Sequence, residues 1–135
     1  ELQADDGVHH LGYATDIGYV SDAVKKGLLG CEAVVLESNH DEEMLKNGPY
    51  PYILKKRILS DKGHLSNERC AWLATQLAIW GTKRILLGHL SEQNNTPEVA
   101  FEAVKLALDC AGFEFGVDYE LEVAPRYENS RMLIF

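Results

Sequence analysis

Four residues in this chain carry side chains suited to metal and phosphoryl chemistry: Asp16, Glu37, His64 and His89. Carboxylate and imidazole bind zinc, manganese and iron, and an aspartate can bridge two ions through its two oxygens. Two ions a few Å apart can clamp a phosphoryl centre. Three of the four follow apolar runs. Leu11–Asp16 (LGYATD) closes on Asp16, Ala33–Glu37 (AVVLE) on Glu37, and Ile85-Leu86-Leu87 leads to Gly88-His89. His64, in Gly63–Asn67 (GHLSN), stands just before a helix. If the strands lie side by side, these residues gather at one rim. Each taken alone has a plainer reading: a turn aspartate, a surface glutamate, a helix-entry histidine, a loop histidine. His9 and His10 sit in a strand away from the rim and receive no role, and His40 is left without one.

The elements that must hold these residues can be read along the chain. Asp5-Asp6-Gly7 is a hairpin signal that separates a short leading strand from Val8–Ala14. Ser21 caps a helix over Asp22–Leu28. Cys31–Glu37 follows as a strand, and its unbroken Ala-Val-Val-Leu suggests burial on both faces, as in a central strand. Asp41–Lys46 and Tyr52–Leu59 are short helices, the second carrying Lys55, Lys56 and Arg57, which read as a solvated face or as phosphate contacts. Ser66 caps Asn67–Trp80, whose Cys70, Leu73, Ala74, Leu77 and Ala78 form a core stripe. Lys83–Leu87 is the next strand. Thr96-Pro97-Glu98 opens a helix to about Ala111, with Val99, Ala103, Val104, Leu106, Ala107 and Cys110 expected inward. Tyr119–Ala124 and Arg131–Phe135 are expected as closing strands around a turn near Asn129.

Composition narrows the function. Over 135 residues the chain is 46% hydrophobic and 25% charged, values ordinary for one globular domain. The net charge of −8 argues against a broad basic face for nucleic acid, but not against a substrate whose phosphates are held by metal ions. No apolar run approaches the roughly 20 residues that span a bilayer. Cys31, Cys70 and Cys110 are far apart and read as reduced, mostly buried thiols of a cytoplasmic protein.

In order along the chain, Thr15-Asp16-Ile-Gly, Leu36-Glu37-Ser-Asn-His40-Asp41, Gly63-His64-Leu-Ser-Asn67 and Gly88-His89-Leu-Ser-Glu-Gln-Asn-Asn95 resemble one known pattern. It is the C-terminal half of a metallo-β-lactamase-fold hydrolase, similar to the YycJ/WalJ group of exonucleases, relatives of the tRNA-processing ribonuclease Z enzymes. The resemblance implies an α/β fold: half of an αββα sandwich, one mixed sheet with helices on its outer face. It implies that Asp16 bridges two divalent ions, zinc or manganese, and that His89 binds the second. It implies that His64 contacts the scissile phosphate and assists the leaving group, oriented by the Glu37 stretch. Where that family places a histidine before the glutamate, Leu36 stands here. Ser66 and Asn67, at a helix start, and Ser91, Asn94 and Asn95, in the loop after His89, are expected to bind substrate or orient the ligands.

One motif is missing. The family's His-x-His-x-Asp-His, source of most metal ligands, does not occur, and His9-His10 has the wrong spacing. Residues 1–135 are therefore expected to be the C-terminal part of a longer hydrolase domain. Asp16 and His89 alone would hold metal loosely, so the fragment is expected to be inactive by itself. It is also expected to expose an apolar sheet face and to pair through it with a second copy. The full-length protein is expected to hydrolyse phosphodiesters of nucleic acid, with no membrane partner. A superfamily hydrolase of a small ester or thioester is the alternative. A non-catalytic α/β binding domain is a second, and it requires Asp16, His64 and His89 to lie apart.

Overall fold

The computed structural model describes residues 2–4 and 7–129. Among the described residues eleven elements follow in order: β1 Leu2–Ala4, β2 Gly7–His9, β3 Leu11–Ala14, α1 Asp22–Leu28, β4 Ala33–Glu37, α2 Glu42–Asn47, α3 Tyr52–Ile58, α4 Asn67–Ile79, β5 Arg84–Gly88, α5 Pro97–Cys110 and β6 Glu120–Val123. The expected strand at Arg131–Phe135 and the turn residues Asp5 and Asp6 lie outside the described residues.

The central sheet has the order β3-β4-β5-β6, and each neighbouring pair is parallel. Among the described residues antiparallel pairing is confined to a separate ribbon, β1 with β2. The single strand expected over Val8–Ala14 is two strands, divided at His10, whose carbonyl accepts from Glu32 N. Parallel strands need crossover connections, and helices fill them here. α1 packs on β3, α4 on β4 and on α5, and α5 on β6.

Strand alternation sorts the side chains. Ala14, Val34, Leu36, Ile85, Leu87 and Leu121 point into one core with Cys70, Leu73, Ala74 and Leu77 of α4. The whole stripe expected on α4 is buried. On α5 the buried line is Ala100, Val104 and Leu108, a strict four-residue step. The inward set expected for α5 is thus corrected: Leu106 is 65% exposed, and Val99 and Cys110 also face solvent. A long apolar helix that packs along one narrow seam buries one row, and hydrophobicity alone does not reveal which. On the opposite sheet face Tyr13 is exposed and Val35 and Leu86 are half-buried. The layer is the α/β arrangement of the metallo-β-lactamase type.

Candidate metal centre

The site lies beyond the carboxyl ends of three adjacent parallel strands, where sheets of this kind deliver ligands to a crevice. Asp16 follows β3 by two residues. Glu37 ends β4 and pairs with Gly88 of β5, and His89 comes next. Asp16 and His89 have positive φ, 56° and 57°, the left-handed region that side chains other than glycine seldom occupy. The turn at each residue swings its side chain over the strand ends.

His64 arrives from the fourth side, on a loop clamped by two glycines. A Cβ on Gly18 would stand 2.1 Å from Asp61 O, and one on Gly63 would stand 2.0 Å from Ile58 O. The Asp16 loop and the His64 loop therefore approach backbone to backbone.

Glu37 is fully buried, and everything around it donates. Its Oε2 accepts from Ile17 N at 3.1 Å and Leu65 N at 3.3 Å. Its Oε1 lies 2.7 Å from His64 Nδ1 and 2.6 Å from His89 Nδ1. Four donors offset the desolvation of this carboxylate. An ionised carboxylate only accepts, so both imidazoles place N–H on Nδ1 and leave Nε2 for other work. The resemblance anticipates the orientation of His64 by Glu37. The same oxygen also orients His89, which spacing along the chain could not show.

Asp16 faces both rings. Its Oδ1 is 3.7 Å from His89 Nε2 and 3.8 Å from His64 Nδ1, while the ring centroids of His64 and His89 are 5.2 Å apart. One ligand atom from each of the four residues lies within 4.8 Å of the others. This donor set, oxygen and imidazole nitrogen, could hold a metal ion. Among the described residues no Lys or Arg pairs with Asp16 or Glu37, so neither side chain competes with a metal ion for these carboxylates. The scattered arrangement required of a non-catalytic domain is not found.

The loops behind the site are fastened by a buried polar knot. Asn67 Oδ1 accepts from Ser38 Oγ at 2.7 Å and Asn95 Nδ2 at 2.9 Å; Asn67 Nδ2 donates to Asn95 Oδ1 at 2.9 Å. Asn95 Nδ2 also reaches Ser38 O, and Asn95 Oδ1 accepts from Thr96 N. Asn67, Asn94 and Asn95 are buried, and the amides of Asn67 and Asn95 bond to groups inside the protein. Ser66 is buried too and caps α4 through Arg69 N. Ser91, half-buried, accepts from Asn94 N. Asn39, not singled out from sequence, donates from Nδ2 to His89 O at 2.9 Å and fixes the strained turn. His40 is buried, and desolvation lowers its pKa from the usual histidine value.

No family model and no solved structure matches the chain. Among curated proteins, the exodeoxyribonuclease YycJ of Bacillus anthracis is 46% identical over 111 residues, 82% of this chain and 42% of the relative. The chain is a homologue of the YycJ/WalJ exonucleases. The exodeoxyribonuclease WalJ of Streptococcus pneumoniae is 43% identical over 107 residues, 79% of this chain and 40% of WalJ. The chain thus spans about two fifths of the length of the YycJ and WalJ proteins it matches. The YycJ and WalJ relatives are named exodeoxyribonucleases, and the four-residue cluster in this chain is a candidate metal site.

Proposed function

We propose that the full-length protein is a metal-dependent phosphodiesterase, an exonuclease acting on nucleic acid, and that residues 1–135 form the C-terminal part of its hydrolase domain. The observation that carries this reading is the single Glu37 oxygen that orients two imidazoles beside Asp16. Asp16 and His89 would hold metal, zinc or manganese, with the remaining ligands of a two-ion site supplied by the rest of the protein. When bound, such ions supply Lewis-acid activation of water and of the phosphoryl group.

The other roles belong to side chains of this chain. Glu37 keeps His89 Nε2 aimed at the Asp16 carboxylate and holds His64 by its Nδ1–H. His64, as imidazolium, donates the Nε2 proton to the leaving oxygen, and Glu37 stabilises its charge. Ser91 offers a hydroxyl to phosphate, while Ser66, Asn67, Asn94 and Asn95 keep the loops in register. The half-covered face at Tyr13, Val35 and Leu86 leads us to propose that the isolated chain, inactive alone, pairs with a second copy. A monomer at high concentration in light scattering would contradict that. Three free thiols fit a reducing compartment, and we place the protein in the cytoplasm.

The deciding experiment offers the purified full-length protein single-stranded DNA with manganese, and separately a simple thioester. Release of nucleotides from DNA supports the nuclease. Thioester turnover with DNA untouched establishes the small-ester hydrolase in its place.

A further inference from the structure

Helix α3 has no buried residue. Tyr52 is 73% and Ile53 83% exposed, and Lys55, Lys56 and Arg57 fill its last turn with no acid in the first. Among the described residues none of these three cations has an acid partner, whereas Arg69, Arg84 and Arg126 each pair with a carboxylate. Lys55 Nζ instead reaches Lys46 O at 2.6 Å, and Lys56 Nζ lies 5.8 Å from the centre of the Tyr52 ring. In a chain of net charge −8 this is a concentrated positive patch.

Its position links it to the site. His64 N donates to Ile58 O, the last residue of α3, and Gly63 lets the two backbones touch. Complementing the helix dipole would account for one cation at this end, but not for three with an exposed aromatic and an exposed isoleucine beside them.

We propose that α3 is a binding face for single-stranded nucleic acid, tracking the strand outside the site. Lys55, Lys56 and Arg57 contact phosphates, and Tyr52 gives a base a ring to stack on. This rests on the nuclease reading for its substrate class, but it concerns binding at a distance from the reacting bond.

The test is binding of a labelled 20-nucleotide single-stranded DNA to the full-length protein without divalent metal, so that no cleavage occurs. The triple substitution Lys55→Gln, Lys56→Gln, Arg57→Gln keeps helix propensity. It is expected to weaken binding about tenfold at low salt and to flatten the slope of log affinity against log salt by about 2. Hydrolysis of bis-p-nitrophenyl phosphate, too small to reach α3, is expected to stay unchanged. Failure of the wild type to bind the strand, or equal binding by the variant, overturns the proposal. Loss of binding to phosphatidylserine vesicles with DNA binding intact also overturns it, and makes α3 a membrane-surface helix. If wild-type protein binds DNA through these residues yet cleaves no phosphodiester, the nuclease reading falls and the binding face stands.

Discussion

His64 and His89 share one hydrogen-bond acceptor: their Nδ1 atoms stand 2.7 and 2.6 Å from the same oxygen of the buried Glu37. Two rings carried by separate loops are thereby set by one side chain. A change at Glu37 should act on both functions proposed for the rings. Glu37→Gln puts an amide among four donors, which forces at least one N–H against another. We expect a loss of about 1–3 kcal/mol in urea denaturation of the full-length protein and a 10–100-fold loss of zinc affinity by calorimetry. Unaltered zinc affinity would show that Glu37 does not orient the ligands.

The buried Asn67–Asn95–Ser38 knot should contribute strongly to stability. Asn67→Ala strips Ser38 Oγ and Asn95 Nδ2 of a buried acceptor. The expected cost is about 2–4 kcal/mol, since each orphaned buried group costs about 1–3 kcal/mol. A shift below about 0.5 kcal/mol, the size usual for surface substitutions, would mean that the knot is not closed in solution.

Two glycine substitutions should move stability in opposite directions. Gly63→Ala places a methyl 2.0 Å from Ile58 O, so the His64 loop must shift, with loss of stability and of activity. Gly27→Ala, inside α1 with nothing within 4 Å, should stabilise by about 0.5–1 kcal/mol. Thermal denaturation of both variants checks the pair. Equal effects would place the two loops differently.

The thiols should separate by reactivity. Burial pushes Cys70 up to about 12 and also raises Cys31, whereas Cys110 is exposed. The thiolate is the nucleophile, so at pH 8 an alkylating reagent should label Cys110 rapidly and Cys70 only on unfolding. Mass spectrometry of the labelled peptides reads this out, and fast labelling of Cys70 would contradict the packing of α4.

Much of this arrangement was legible in the sequence because parallel strands release their side chains at one edge. Apolar runs ending in Asp16, Glu37 and His89 therefore implied a shared rim, and the stripe on α4 followed from helical spacing. Other features depend on contacts that no local pattern encodes. The left-handed turns at Asp16 and His89 are held by surrounding loops, and Asn39 has no signal of its own. Asn67 and Asn95 read as groups for substrate or ligand orientation, and only when the loops close does each become the other's buried partner. The buried row of α5 is selected by α4, not by the apolarity of α5.

Anomalous diffraction at the zinc edge, from crystals of the zinc-loaded full-length protein, tests whether Asp16 and His89 bind metal. The expected result is a peak about 2 Å from an Asp16 carboxylate oxygen and from His89 Nε2. Zinc bound elsewhere, with these two side chains carrying none, would contradict it.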